Sequence, residues 1–242
     1  MQTRRLIAKL LLMTYLAGAQ AGDDFASSRA TMLREVAGMA AETRSYTGTD
    51  HFDERVMQAI GRVPRHEFVP AALRSQAYVN RPLPIGNGQT ISQPFIVALM
   101  TDLAGVREDS VVLEIGTGSG YQAAVLAELA RHVYTIEIVA ALGRSAEDTL
   151  RHLGYDNVTV RIGNGYDGWP EQAPFDAILV TAAPEQLPPA LLAQLKPGGK
   201  LVVPVGTQDM PQSLQVISRD GAGQVTVREV LPVGFVPMTG DP

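Results

Sequence analysis

From Asp109 onward the chain alternates short apolar runs with helix-length stretches, and this alternation leaves few folds open. Val111-Val112-Leu113-Glu114-Ile115 reads as a buried strand, residues 121–131 as a helix and Val133–Ile138 as a second strand, followed by a helix to about Leu153. Val158–Ile162, Ala177–Thr181 and Lys200–Val205 read as strands three to five, with a helix over 187–195 before the last. Strands separated by helices build a parallel sheet covered on both faces. Two more strand-like stretches, 212–218 and 224–231, have only Asp220-Gly221-Ala222-Gly223 between them, which predicts an antiparallel hairpin at the sheet edge. The fold class is therefore α/β, doubly wound and mostly parallel.

The preceding region has a different texture. Residues 28–80 read as helical, with Asp50 placed to cap a helix from about His51 to Arg62. Phe52, Val56, Ala59 and Ile60 fall at helical spacing. Pro64 and Pro70 then break the pattern. The run RPLPIGNGQTISQ (81–93) reads as a loop, and Pro94 suits the first turn of a helix through Ala104. The expected organisation is 22–108 as an N-terminal helical and loop region and 109–242 as the core with its hairpin, with 22–242 forming one compact domain.

Residues 1–21 carry Arg4, Arg5 and Lys9, a mostly apolar Leu10–Leu16 and a small-x-small Ala19-Gln20-Ala21. That order matches a secretory signal peptide with the mature start at Gly22, too short to be a lasting membrane span. Lys9 interrupts the apolar part, so an amphipathic N-terminal helix is the competing reading. The first predicts a periplasmic or secreted protein, the second a cytoplasmic one. Cleavage would remove three cations and move the net charge from −5 to −8.

Composition excludes several chemistries. With no cysteine there are no disulfides, thiolate nucleophiles or Cys-ligated metals. The four histidines (His51, His66, His132 and His152) lack metal-ligand spacing, so no metal site is expected. A net charge of −5 without a Lys/Arg run gives no general grip on nucleic acid.

The sharpest motif is Glu114-Ile115-Gly116-Thr117-Gly118-Ser119-Gly120-Tyr121, between the first buried strand and its helix. Glycines allow a tight bend and close approach of a ligand, and the helix start offers free N–H groups. Glu137 ends the second strand 17 residues after Gly120, where a carboxylate can accept hydrogen bonds from ribose hydroxyls. Dinucleotide sites require G-x-G-x-x-G, whereas this string is G-x-G-x-G preceded by a strand acid. It resembles the first motif of the S-adenosylmethionine-dependent methyltransferases, whose sheet is Rossmann-like. That resemblance implies S-adenosyl-L-methionine as cofactor, with Glu114, Gly116, Gly118, Gly120 and Glu137 around it. Gly163-Asn164-Gly165 would then edge the adenine, with Asn164 standing where an aspartate is usual; a positive-φ turn residue is an equal reading of Asn164.

Residues outside the core select the acceptor. Arg65-His66-Glu67-Phe68-Val69-Pro70, Pro82-Leu83-Pro84-Ile85-Gly86-Asn87-Gly88-Gln89-Thr90-Ile91-Ser92-Gln93-Pro94 and Gly234-Phe235-Val236-Pro237-Met238 resemble the protein-L-isoaspartate O-methyltransferase family over roughly residues 28–240. The family usually has His where Asn87 stands. The resemblance implies a repair enzyme; a monomer is expected, and the short apolar stretch of residues 10–16 predicts no stable membrane anchor. It would methylate the free carboxylate of L-isoaspartyl residues in damaged proteins and peptides, with repair proceeding through a succinimide. The residue matching Ser92 is the family's key active-site residue, and Thr90, Ile91 and Val236 would shape the substrate site. Ser92 can equally cap the helix at Pro94. Three other readings compete: a methyltransferase with a different acceptor, an NAD-dependent oxidoreductase and a non-enzymatic binding module.

Overall fold

The computed structural model describes residues 25–242, so the segment read as a signal peptide lies outside the described residues. Helix α1 covers residues 25–42. It is followed by the single turn α2 (Arg44–Thr47), then α3 (Glu54–Arg62), the strands β1 (Leu83–Gly86) and β2 (Gln89–Ile91), and α4 (Pro94–Ala104). The core runs β3 (Val111–Ile115), α5 (Tyr121–Ala127), β4 (His132–Glu137), α6 (Ala140–His152), β5 (Val158–Ile162), β6 (Phe175–Val180), α7 (Pro189–Ala193) and β7 (Leu195–Val205). The final strands are β8 (Gln212–Arg219) and β9 (Val225–Val233).

Seven strands form one sheet in the order β5-β4-β3-β6-β7-β8-β9. Strands β3 to β7 are parallel, while β8 and β9 continue the sheet antiparallel as the expected edge hairpin. Side chains alternate across β3. Val112 joins the apolar layer holding Leu99, Val125 and Leu126, whereas Leu113 and Ile115 join the opposite layer with Ile178, Val180 and Leu191. The second layer carries less helix than expected. The 187–195 helix shrinks to five residues because Leu195 already pairs with Phe175 as the start of β7.

Two further expectations change. The N-cap of α3 is Asp53, which accepts from Arg55 N at 2.8 Å, while Asp50 sits 2.7 Å from His51 Nδ1. The reason is tertiary: Asp53 N donates to Asp102 Oδ1 at 2.7 Å, which pins the helix start against α4. The 81–93 stretch is a β-hairpin rather than a plain loop, pairing Leu83 with Ile91 and Pro84 with Thr90. Asn87 (φ 52°) and Gly88 (φ 72°) form its turn with both residues left-handed, the geometry that Asn-Gly favours.

Candidate active site

The strand order reverses on either side of β3, with β4 to one side and β6 to the other. Such a switch point opens a crevice at the carboxyl ends of the strands. Here the loop after β3 turns through three left-handed glycines, Gly116 (φ 97°), Gly118 (φ 54°) and Gly120 (φ 88°). Gly116 N donates to Ile136 O at 2.8 Å, and Thr181 Oγ1 donates to Gly116 O at 2.7 Å, so the bend is tied to both neighbouring strands. A Cβ on Gly116 would lie 2.6 Å from Thr181 Oγ1. A Cβ on Gly120 would instead meet Ala146 and Leu150 of α6 at 3.2–3.3 Å. Gly116 and Gly118 therefore line the crevice, while Gly120 sits behind it, seating α5 against α6.

Two carboxylates project into this cavity, which holds about 790 Å³ of open space including its mouth. Glu137 Oε2 accepts from Gly118 N at 2.7 Å and Oε1 from Val139 N at 2.9 Å. Both oxygens are fixed, and each keeps lone pairs for a ligand hydroxyl. Glu114 is fully buried. The parallel register sets it opposite Thr135, whose hydroxyl donates to Glu114 Oε2 at 2.6 Å, with Thr117 Oγ1 2.7 Å from Thr135 Oγ1. Glu114 Oε1 has no hydrogen-bond partner among the described residues. Burial pushes the Glu114 carboxyl up to about 8, against the lowering effect of Thr135 and with a smaller raising effect from Glu137. A buried, unpartnered acceptor in the lining of the cavity suits a cationic donor such as an ammonium group, so the residues fit S-adenosylmethionine.

Asn164 is placed differently from the other site candidates. It has φ −77°, not a left-handed turn, and it caps the short turn Gly165–Asp167 by accepting from Tyr166 N. Its Nδ2 donates to Asp241 O at 2.7 Å, so its amide faces the C-terminal segment. Gly165, not Asn164, lines the cavity; a Cβ there would lie 2.4 Å from Ile115 Cγ2.

The hairpin carries Thr90, Ile91 and Ser92 to the cavity's rim. Ser92 does not cap α4. Gln93 occupies the N-cap position without a side-chain cap, and Asn80 Oδ1 reaches across to accept from Phe95 N at 3.0 Å. The main chain at Ser92 is held from beneath. The guanidinium of fully buried Arg65 donates through Nη2 to Ser92 O at 2.7 Å and through Nε to Ala77 O at 2.8 Å, and lies 4.7 Å from the Tyr121 ring centroid. Burial lowers the Arg65 pKa to about 10. The opposite wall is Gly234–Met238. Val236 O accepts from Ala183 N, and Met238 N donates to Ala183 O, both at 2.8 Å. Gln212 clamps Phe235 through both backbone groups, at 2.6 and 3.0 Å.

Thr90, Ser92, Thr181 and Val236 line both this cavity and a second one beside it. Thr117, Thr135, Thr181 and Arg65 were not among the site residues expected from the sequence. Thr135 could have been found from its register opposite Glu114, and Thr181 as the hydroxyl that ends the apolar fourth strand.

The chain is similar to proteins of one family. The family model for protein-L-isoaspartate(D-aspartate) O-methyltransferase matches residues 44–242. The chain is 55% identical over 234 residues to protein-L-isoaspartate O-methyltransferase 2 of Syntrophobacter fumaroxidans, covering 96% of this chain and 95% of that one. It is 60% identical over 209 residues to protein-L-isoaspartate O-methyltransferase 2 of a Polaromonas species, covering 86% and 99%. A solved protein-L-isoaspartate O-methyltransferase superposes with TM-score 0.74 at 26% identity, over 88% of this chain and 66% of that one. A Plasmodium falciparum structure, described as a putative member in complex with S-adenosyl-L-homocysteine, shares the fold with TM-score 0.68. A crevice built from a glycine bend, two fixed carboxylates and a serine-bearing hairpin thus coincides with close sequence kinship, and the chain belongs to the protein-L-isoaspartate(D-aspartate) O-methyltransferase family.

Proposed function

We propose that this protein methylates the free carboxylate of L-isoaspartyl residues in damaged proteins and peptides, using S-adenosyl-L-methionine. The observation that carries the reading is the shared wall of Thr90, Ser92, Thr181 and Val236, where a cavity bearing Glu114 and Glu137 meets a second cavity able to take a peptide. When bound, S-adenosylmethionine supplies a methyl group already activated by its sulfonium. Glu137 would accept from the ribose hydroxyls, Glu114 would face the charged amino-acid end, and Gly116, Gly118 and Gly165 would let the backbone approach closely.

The acceptor carboxylate is ionised near neutrality, so no general base is required. The chain's task is positioning and exclusion of water. The Ser92 hydroxyl, relieved of capping by Asn80, would donate to the isoaspartyl carboxylate, with Thr90 shaping the approach and Ile91 closing the apolar side. Backbone groups around Val236 would hold the peptide in extended form. Methylation converts the carboxylate to an ester with a better leaving group. Attack by the neighbouring peptide nitrogen expels methanol and gives a succinimide, whose hydrolysis returns some normal aspartate.

The test is transfer of labelled methyl to an isoaspartyl peptide but not to its aspartyl twin. Ser92→Ala is expected to lose most of this turnover while binding S-adenosylhomocysteine with unchanged affinity by calorimetry. Undiminished turnover removes Ser92 from its role. Cofactor binding without transfer to any isoaspartyl peptide favours a different acceptor. Action as a monomer is the expectation, checked by sedimentation. The basic, apolar and small-residue order of residues 1–21 supports export, checked by N-terminal sequencing of the mature protein.

A further inference from the structure

The second cavity has one wall that comes from outside the stretch matched by the family model. That match begins at residue 44, whereas Met39 and Thr43, at the end of α1, line the cavity. We propose that this wall makes the cavity an apolar subsite for a side chain flanking the isoaspartyl residue of the substrate peptide, with Met39 and Thr43 determining which side chains are accepted. The inference rests on the methyl-transfer reading above and adds a preference that reading does not contain.

Three observations lead there. The first is continuity: Thr90, Ser92, Thr181 and Val236 belong to both cavities, so a peptide presenting its carboxylate at Ser92 carries a neighbouring side chain into the second one. The second is chemistry. Among the described residues, no Asp, Glu, Lys or Arg lines this cavity, while Met39, Ile96, Leu231 and Phe235 present half-buried apolar surface. Covering that surface favours binding, whereas a charged flank would lose hydration and find no partner. The cavity offers about 1020 Å³ of open space including its mouth, room for a large side chain.

The third is that the wall is preformed. Helix α1 is anchored by Phe25 stacked on His66 at 4.1 Å between ring centroids, and by Arg29 Nη2 donating to Tyr78 OH at 2.9 Å. Thr43 Oγ1 donates to Met39 O at 2.8 Å, and Asn80 Nδ2 approaches Met39 Sδ at 3.1 Å. Asn80 is also the residue that caps α4, so the Met39 wall and the start of α4, which follows Ser92, are braced by one side chain. A wall fixed before binding avoids the ordering cost of a mobile one, and the flexible thioether of Met39 can adapt to different apolar shapes.

The experiment uses isoaspartyl hexapeptides identical except for Ala, Leu, Phe, Lys or Asp at one position beside the isoaspartyl residue, on either side. Peptide Kd is measured by calorimetry with S-adenosylhomocysteine bound, and KM and kcat by labelled methyl transfer. On one side, Leu or Phe is expected to lower Kd and KM by about fivefold or more relative to Ala, and Lys or Asp to raise them. Met39→Lys and Thr43→Glu are expected to bring the Leu-to-Ala ratio close to unity, and Thr43→Glu to favour Lys over Asp. Met39→Ala, which is expected to reduce the ratio partially, serves where Met39→Lys fails to fold by thermal melting. Equal constants for Leu and Ala on both sides overturn the subsite, as does a Leu preference that survives the variants. If no isoaspartyl peptide is methylated, the methyl-transfer reading itself falls; if all are methylated without preference, only the subsite does.

Discussion

Glu114 shows how much one buried side chain can report. Its carboxyl is pushed up to about 8 in the folded chain against an ordinary 4.5. A raised carboxyl pKa means that the folded state holds the proton more tightly than the unfolded one. Its contribution to stability is therefore fully present below about 4.5 and lost as pH rises through about 8. Thermal melts from pH 5 to 9 should show a steeper decline for the native protein than for Glu114→Gln, which mimics the protonated form. Parallel curves reject the assignment. A cationic ligand beside Glu114 favours its ionised form, so S-adenosylmethionine binding at pH 7 should release a proton, seen as a buffer-dependent enthalpy in calorimetry. Gly116 is the second residue-scale test. Gly116→Ala combines φ 97° with a Cβ 2.6 Å from Thr181 Oγ1, so a loss of roughly 1–3 kcal/mol and weaker cofactor binding are expected by chemical denaturation and calorimetry.

Among the elements, the β1–β2 hairpin matters most to the site. Its Asn87-Gly88 turn sets the register that leaves Thr90 exposed and Ile91 buried, with Ser92 immediately after. Its Ile85 reaches over the glycine bend: a Cβ on Gly118 would lie 3.4 Å from Ile85 Cδ1. Gly88→Val places a β-branched residue at φ 72°, at a penalty of about 1–2 kcal/mol confined to the hairpin. Peptide kcat/KM should fall about tenfold or more with little change in melting temperature, and Asn87→Gly should stay within about twofold of the native protein. An unchanged kcat/KM for Gly88→Val detaches the hairpin from positioning Ser92. The hairpin also marks where local reading stopped short. Prolines and glycines in RPLPIGNGQTISQ read as loop, yet Asn-Gly between Ile85 and Ile91 is the stronger signal because two consecutive left-handed residues match strand twist. The start of α3 failed for another reason. Asp50 and Asp53 are equally good caps locally, and the contact of Asp53 N with Asp102, 49 positions away, chooses between them.

Across the whole molecule, the candidate crevice is assembled from segments that meet only in the folded state. The hairpin at Thr90, the bend at Gly116 and the return segment at Val236 come together because the last strands bring the chain back past Ala183, where Ala183 bridges to Pro237. Deleting residues 234–242 removes that wall and leaves Ala183 N and O without their partners at Val236 and Met238. The truncated chain is expected to lose peptide turnover, as measured by labelled methyl transfer, and to melt at a lower temperature; full turnover would show that the segment is not part of the site.

The strand and helix alternation, the edge hairpin, the glycine bend and the acid at the end of the second strand were all readable from the chain alone. Each depends on local periodicity or on backbone angles that only certain residues adopt. Folding decided the rest. Asn80 rather than Ser92 caps α4, Glu114 faces Thr135 in a site that raises its pKa, and Arg65 is buried beneath the Ser92 carbonyl. Those outcomes turn on which polar groups become neighbours once water is excluded, and no spacing along a chain encodes that without the packing that brings distant residues together.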